Sequence, residues 1–283
     1  MKKILVTGAN GQLGKCLQQA ATQYPSWEFD FFERESLNIT EQKQLEEVFA
    51  KGAYDYCINT AAYTQVDQAE KEPEKTFLVN GEAVKNVASI CEKNKAVLIH
   101  ISTDYVFDGS KEGAYVETDE PNPINVYGAS KLKGEQYVEK ISTRYFIVRA
   151  SWVYSEFGQN FLKTILRLAK ERESLTITTE QKGSPTNAHD LAEMLLKIIE
   201  KESKVYGTYH FCNKGAITWY DFAKAIVNQA GFSKTTAIVK TDDYPTFAKR
   251  PKNSVLDTTK LQQHLGIQIK YWENALRELI NRL

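Results

Sequence analysis

Short apolar runs alternate with longer segments of helical periodicity through the first half of the chain, and this alternation predicts the fold. The predicted strands are 3–7, 28–32, 54–59, 96–102 and 144–150. The predicted helices are 12–24, 41–51, 73–93 and 126–140, with Thr40 placed to cap the second. Strands that alternate with helices form parallel sheets with right-handed crossovers. The pattern therefore predicts an α/β fold built on a doubly wound parallel sheet.

The alternation becomes less regular after Arg149. Further helices are predicted at 161–173, 190–202 and 272–283, and short strands at 175–179 and 206–211. Pro245 and Pro251 mark a loop before the last helix. The pattern predicts a larger domain over residues 1–150 and a smaller carboxyl-terminal lobe over 151–283. Residues at about 174–180 are expected to return from that lobe to the first sheet.

Composition narrows the class of protein. The 283 residues are 42% hydrophobic and 25% charged, which is ordinary for a globular protein. The 36 Lys and Arg residues balance the 36 Asp and Glu residues, so neither nucleic acid nor a membrane surface is an expected partner. The first strand follows Met1-Lys2-Lys3 directly and no apolar run has bilayer-spanning length, so a cytoplasmic location is expected. The four cysteines and four histidines show no metal-ligand spacing, and no metal site is predicted.

The first strand leads into a glycine turn, Gly8-Ala9-Asn10-Gly11-Gln12-Leu13-Gly14, which opens the first helix. Bare backbone at such a turn can approach a diphosphate, and the helix amino terminus offers free N–H groups and a positive dipole. This context predicts that the domain over 1–150 binds a dinucleotide at the carboxyl ends of its strands. We expect contacts from every residue of the turn except Ala9.

Residues after the second and third strands are candidates for the rest of the dinucleotide. Glu33 is placed to hold the ribose hydroxyls, whereas Arg34 is placed to meet a 2′-phosphate, so the choice between NADH and NADPH stays open. Asn38 and Ile39 are expected beside the adenine. The loop after the third strand adds three further candidates, which are Ala61, Ala62 and Tyr63.

Tyr127 and Lys131 are four residues apart on a predicted helix, so their side chains share one face. An ammonium group lowers the pKa of a neighbouring phenol, which predicts that Lys131 lowers the pKa of Tyr127 for acid–base chemistry. The same lysine is a candidate for holding the nicotinamide ribose. Ser102 and Thr103 end the fourth strand on the ligand side of the sheet, and the Thr103 and Tyr127 hydroxyls are expected to meet at one carbonyl oxygen. A second pair, Tyr220 and Lys224, has no such partner.

The glycine turn, Ser102-Thr103-Asp104 and Tyr127-x-x-x-Lys131 together resemble the extended short-chain dehydrogenase/reductase superfamily. Within it, the chain is similar over its whole length to the family of dTDP-4-dehydrorhamnose reductases. The more specific matches are 59–67, 102–107, 125–128, 149–154 and 250–254. The resemblance implies a Rossmann-type fold and reduction of the 4-keto group of dTDP-4-dehydro-6-deoxy-L-mannose by NADPH or NADH.

The resemblance also implies roles for individual residues. Tyr127 protonates the substrate oxygen and Thr103 hydrogen-bonds it, with Lys131 as the third catalytic residue. Asp104 and Tyr105 bind substrate, and Asp104 positions sugar hydroxyls. Trp152 packs against the deoxysugar, with a core position as the alternative. Arg250 pairs with the diphosphate, with a surface ion pair as the alternative.

The sequence leaves alternatives for metal binding, for the oligomeric state and for the activity. Some members of the family hold magnesium at a dimer contact through acidic residues, whereas the corresponding positions here are Cys16 and His189. Magnesium is therefore not expected, and the chain is predicted to be a monomer or a homodimer. One alternative function is a nucleotide-sugar dehydratase or epimerase of the same superfamily. Another is a regulatory subunit that binds a dinucleotide without catalysis.

Overall fold

A computed structural model describes residues 1–242 and 244–283 and contains a central six-stranded sheet that is parallel throughout. Its order is β10-β5-β4-β3-β1-β2. The six strands are β1 (Lys3–Thr7), β2 (Glu28–Phe32), β3 (Tyr56–Asn59), β4 (Val97–Thr103), β5 (Tyr145–Ala150) and β10 (Gly207–Phe211). The remaining strands form two-stranded pairs and are β6 (Val153–Tyr154), β7 (Ser174–Thr178), β8 (Lys182–Gly183), β9 (Thr186–Asn187), β11 (Ile217–Thr218) and β12 (Ala237–Thr241).

Helices cover both faces of the central sheet. In the first half of the chain they are α1 (Gln12–Ala21), α2 (Gln42–Lys51), α3 (Val66–Ala69), α4 (Pro73–Phe77), α5 (Ala83–Lys93) and α6 (Val126–Ile141). In the second half they are α7 (Phe161–Glu171), α8 (Ala188–Glu200), α9 (Trp219–Gln229), α10 (Thr259–Leu265) and α11 (Trp272–Ile280). No helix of the described residues is long and apolar enough to cross a membrane.

Two hydrophobic layers flank the sheet. On one face α1 and α8 pack together, and their apolar side chains join those of β1 and β4. On the other face α2 and α5 bury Leu45 and Val87 against the sheet. A third cluster joins α7, α9 and α11 around Phe222 and Trp272. The predicted α/β fold with a doubly wound parallel sheet is confirmed.

The carboxyl ends of β1, β3 and β4 meet at one edge of the sheet. β1 lies between β2 and β3. The chain passes from β1 to β2 on one side, and after β2 it crosses back to β3 on the other side of β1. Parallel α/β sheets bind ligands at such a reversal because the loops on either side diverge and leave a crevice. The glycine turn after Thr7 and the Ser102-Thr103-Asp104 segment both lie at this edge.

One local prediction was wrong, and another had the right bounds but missed an irregular turn. Thr40 does not cap α2, because its hydroxyl donates to Asn38 Oδ1 at 3.0 Å and Glu41 occupies the cap position. The predicted helix over 73–93 is interrupted by a π-helical turn over Leu78–Glu82. Within that turn, the Asn80 side chain donates to the Tyr63 carbonyl at 2.9 Å and to Ser130 Oγ at 3.0 Å. Side-chain bonds that compete with the helical backbone pattern are invisible to periodicity.

The predicted return of residues 174–180 to the central sheet was also wrong. β7 pairs in parallel with β12 in a separate two-stranded sheet, and β10 is the strand of the second half that joins β5. A β-branched run predicts a strand but carries no information about its partner. The boundary at residue 150 between two domains stays a prediction.

Candidate active site

The glycine turn has a backbone that only glycine fits. Gly8 has φ +69°, and a Cβ there would lie 2.7 Å from the backbone nitrogen of Ala61. A Cβ on Gly14 would clash with the Gly8 carbonyl oxygen. Gly11 is the N-cap residue of α1 and caps it without a side chain. The turn therefore presents backbone N–H groups at a helix amino terminus, which fits the diphosphate of a dinucleotide.

The other candidate cofactor residues lie at the same edge of the sheet. Glu33 and Arg34 are exposed in the turn that follows β2. The Asn38 side-chain oxygen accepts from the Thr40 N–H at 3.2 Å and its backbone N–H donates to Gln44 Oε1 at 2.9 Å, while Ile39 is buried in the same core cluster as Leu5. Contact of Asn38 and Ile39 with an adenine stays a prediction. Ala62 lines the cleft described below.

A cleft of about 530 Å³ opens where the glycine turn faces the end of β4. The predicted residues among its lining are Gly11, Gln12, Leu13, Ala62, Ser102, Thr103, Asp104, Tyr105, Tyr127, Lys131 and Trp152. The structure thus brings the glycine turn, the β4 end and the α6 pair into one space. Ser102 Oγ is buried and has no hydrogen-bond partner among the residues that the structure describes.

Helix α6 holds Tyr127 and Lys131 through contacts at its first turn. Asn125 caps the helix by accepting from the Gly128 N–H at 2.7 Å, and its amide donates to the Lys249 carbonyl at 2.9 Å. Ser130 donates to the Tyr127 carbonyl at 2.7 Å and accepts from Asn80. Asn80 thus ties the π-helical turn to the helix that carries the phenol.

A buried ion pair fixes the far side of α6. Glu135 and Arg149 are 1% and 4% exposed, and Arg149 Nη2 lies 2.7 Å from Glu135 Oε2. Arg149 also stacks its guanidinium over the Phe107 ring at 5.2 Å. The pair couples α6 to β5, so the helix cannot shift relative to the sheet without separating two buried charges.

The pKa of Tyr127 is raised, whereas the proximity of Lys131 in the sequence predicts that it is lowered. Burial raises the pKa of Tyr127 to about 12, a hydrogen bond with the Thr103 side chain opposes this, and the Asp104 charge adds to it. Lys131 Nζ donates to the Ile101 carbonyl at 2.6 Å, and burial lowers the pKa of that ammonium to about 8. The expectation of a lowered tyrosine pKa was wrong, because desolvation of the phenol outweighs the hydrogen bond with Thr103 that lowers the pKa.

Asp104 lies at the floor of the cleft with an unusual carboxyl. Thr103 donates to its Oδ1 at 3.0 Å, while its Oδ2 is buried and unpartnered within the described part of the chain. Burial raises the pKa of Asp104 to about 7, against hydrogen bonds from Ser254 and Thr103. One oxygen of this buried carboxyl thus has no acceptor role within the described residues.

Trp152 lies at the cleft wall in the left-handed region, with φ 47°. The Trp152 ring stacks on the Trp219 ring with centroids 3.6 Å apart. A Cβ on Gly183 would lie 2.6 Å from the Trp152 ring. The alternative of a core position is thus not what the structure has. Trp219, the first residue of α9, also lines the cleft, and no sequence motif identifies it as a site residue.

Arg250 lies beside a second cavity of about 820 Å³ that shares Tyr105, Phe161 and Trp219 with the first. Its guanidinium pairs with Asp67, a residue the sequence did not single out for this role. Burial lowers the pKa of the Arg250 guanidinium, whereas its interactions with Asp67 and Tyr105 raise that pKa, and the net shift is upward. The ion-pair alternative is realised, and Arg250 still borders the cavity.

Fold and site together define a Rossmann-type oxidoreductase that depends on a nicotinamide dinucleotide. The sequence profile described as the RmlD substrate binding domain matches residues 1–283, and the chain belongs to that family. The dTDP-4-dehydrorhamnose reductase of Aggregatibacter actinomycetemcomitans is 41% identical, over 99% of this chain and 98% of the relative. The spore coat polysaccharide biosynthesis protein SpsK of Bacillus subtilis is 38% identical, over 99% and 97%.

A solved structure shares both fold and sequence with the chain. It is the dTDP-4-dehydrorhamnose reductase of Bacillus anthracis in complex with NADP, which is 40% identical and superimposes with a TM-score of 0.95 over all of both chains. The predicted family and the predicted dependence on a nicotinamide dinucleotide are confirmed.

Proposed function

We propose that the chain reduces the 4-keto group of dTDP-4-dehydrorhamnose to give dTDP-L-rhamnose, and that Thr103, Tyr127 and Lys131 carry the reaction. The observation that carries this proposal is the convergence of the Thr103 and Tyr127 side chains at the wall of the cleft that begins at the glycine turn. Relatives that align over nearly the whole chain have the same named activity.

The glycine turn, Ser102 and Lys131 would hold the cofactor, and Glu33 or Arg34 would contact its adenosine ribose. When bound, NADPH or NADH supplies a hydride to C4 of the sugar. Lys131 has three N–H donors and spends one on Ile101, so two remain for ribose hydroxyls. The bare backbone at Gly8 and Gly11 brings the diphosphate close to the sheet edge.

Tyr127 acts as the proton donor. A pKa of about 12 keeps the phenol protonated at neutral pH, which is the form that a reduction requires. As negative charge develops on the substrate oxygen, the Tyr127 proton moves to it, and the Thr103 hydroxyl stabilises the oxygen by a hydrogen bond.

The substrate would extend from the first cavity into the second. Asp104 lines the cleft and would accept from sugar hydroxyls there, and Trp152 with Trp219 forms a flat apolar wall for the 6-deoxy side of the ring. The nucleoside diphosphate then lies toward Tyr105 and Arg250, whose guanidinium suits phosphate oxygens.

A dehydratase or epimerase on the same scaffold is the rival enzyme. Dehydratases typically place Asp-Glu directly after the threonine, for acid and base in water elimination, whereas Thr103 here precedes Asp104-Tyr105. A non-catalytic regulatory subunit is the other rival, and the intact Thr103, Tyr127 and Lys131 argue against it.

The test is to offer the purified chain a panel of 4-keto-6-deoxy nucleotide sugars with NADPH and with NADH, and to follow the loss of nicotinamide absorbance. The proposal predicts oxidation of one cofactor per product molecule, with the dTDP-linked 4-keto sugar preferred. Product formation without net cofactor consumption would favour the rival enzymes. No turnover with any member of the panel, alongside tight binding to another protein, would favour the regulatory subunit.

A further inference from the structure

Three side chains with metal-binding atoms meet beside α1. Cys16 lies on α1, Glu156 follows β6, and His189 lies in the first turn of α8. The Cys16 Sγ, a Glu156 carboxylate oxygen and a His189 ring nitrogen all lie within 4.8 Å of one another. His189 Nε2 is 2.8 Å and 3.0 Å from the two Glu156 oxygens. Spacing along the chain gave no sign of this cluster.

The cluster is buried and already arranged around one point. Cys16 is fully buried and His189 is 7% exposed, while Glu156 is half-buried. His189 is fixed at the start of α8, where its backbone N–H donates to the cap residue Asn187 at 2.9 Å. Side chains from three separate elements are therefore held together before any ion is added.

The three residues do not fit magnesium. Mg²⁺ requires near-octahedral oxygen ligands, and only Glu156 supplies oxygen here. Thiolate and imidazole bind zinc, and cobalt can replace zinc at the same ligands. Three protein ligands and one water molecule complete a tetrahedral zinc site. The chemistry at these positions thus differs from the magnesium that the family resemblance implies.

We propose that Cys16, Glu156 and His189 bind one zinc-class divalent ion per chain. On binding, the Cys16 thiol releases its proton to solvent and Sγ bonds the ion. The Nε2 proton that His189 shares with Glu156 moves to Nδ1 by exchange with solvent, and Nε2 then bonds the ion. Burial and the Glu156 charge raise the pKa of Cys16 to about 12, so the ion must displace that proton.

The bound ion would join the cofactor helix to the border of the cleft. The neighbours of Glu156 already reach α1, because Ser155 Oγ donates to Gln12 Oε1 at 3.0 Å and Asn160 Nδ2 donates to it at 2.8 Å. Gln12 is the first residue of α1 and belongs to the glycine turn. An ion that links Cys16, Glu156 and His189 would hold α1, this segment and α8 in one arrangement.

The test is a cobalt titration of the full chain after treatment with a chelator. The proposal predicts one Co²⁺ per chain, a thiolate-to-cobalt charge-transfer band in the near ultraviolet, and displacement of the band by Zn²⁺. Mg²⁺ in large excess should leave the band unchanged. Cys16→Ser should abolish the band, and His189→Gln should weaken cobalt binding at least about 100-fold, since loss of a direct ligand costs more than loss of a residue that only hydrogen-bonds a ligand.

Cys212→Ser is the matched control, because Cys212 is an equally buried free thiol outside the cluster. It should leave the band and the cobalt affinity unchanged. No band in the wild type at saturating cobalt would overturn the proposal, as would a band that survives in Cys16→Ser. If Cys16→Ser does not fold, the wild-type melting temperature decides: it should rise with zinc concentration, and a melting temperature that zinc does not raise would contradict the site.

Discussion

Arg250 and Asp67 form a two-pronged ion pair between residues 183 positions apart, with Nη1–Oδ1 at 3.0 Å and Nη2–Oδ2 at 2.7 Å. Asp67 also accepts from the Ala248 N–H at 3.0 Å, so the pair fastens the 248–250 segment to α3. The hydrogen bond from Arg250 lowers the pKa of Asp67, and the pair is therefore intact at neutral pH and lost only as the pH falls through that lowered pKa.

We expect Arg250→Met to raise the KM for the nucleotide sugar about 10- to 100-fold while kcat changes little, because hydrogen bonds to a charged group are worth about 1.5–3 kcal/mol. Steady-state kinetics with varied sugar nucleotide measure this. Arg167→Met is the control, since Arg167 pairs with Glu171 on an exposed helix face and should leave KM unchanged. An unaltered KM in Arg250→Met would remove Arg250 from the substrate site.

Trp219 is expected to matter for substrate binding although it lies outside the sequence motifs. Trp219→Ala removes the ring that stacks on Trp152 at 3.6 Å, so the KM for the nucleotide sugar should rise about tenfold. Trp27→Ala is the matched control, because Trp27 stacks on Tyr24 far from the cleft lining. Equal kinetic effects in the two variants would show that the stack is only structural.

The buried pair of Glu135 and Arg149 predicts a large effect on stability. Arg149→Met leaves the Glu135 carboxylate buried without its partner, and the free energy of unfolding should fall by about 3–5 kcal/mol. Urea unfolding at neutral pH measures the change. Arg167→Met should change the free energy of unfolding by less than about 1 kcal/mol. A loss as small as this in Arg149→Met would mean that Glu135 finds other partners.

Asp104 predicts a stability that depends on pH in a particular direction. Its pKa is raised to about 7 in the folded chain, so the folded state binds more protons than the unfolded state between pH 4 and 7. Stability should therefore fall as the pH rises through this range, by up to about 4 kcal/mol relative to Asp104→Asn. Urea unfolding of both proteins at a series of pH values tests this. Parallel pH profiles for the two proteins would contradict the raised pKa.

The sequence predicted most of the nucleotide-binding half because its signals are local. Gly8, Gly11 and Gly14 follow a strand, and Tyr127 and Lys131 share one helical face, so short-range geometry places them. The partner of β7, the ion pair of Asp67 with Arg250 and the cluster around Cys16 join residues that are distant in the chain. Nothing in local periodicity encodes such contacts, and they emerge only once the helices and strands pack.

The pKa of Tyr127 shows a second limit of sequence reasoning. A lysine four residues away predicts the sign of one electrostatic effect, but desolvation depends on the burial of the phenol, which the sequence does not give. The role of Tyr127 as proton donor is compatible with either sign, because a phenol with a raised pKa holds its proton until the substrate oxygen accepts it.

In the proposed reaction, Tyr127 donates the proton while the nicotinamide cofactor supplies the hydride. The most direct measurement is the turnover of Tyr127→Phe beside the wild type with dTDP-4-dehydrorhamnose, together with the cofactor affinity of both proteins. We predict a loss in turnover of about 100-fold or more with nearly unchanged cofactor affinity, since only the hydroxyl is removed. Turnover close to that of the wild type would show that another group supplies the proton.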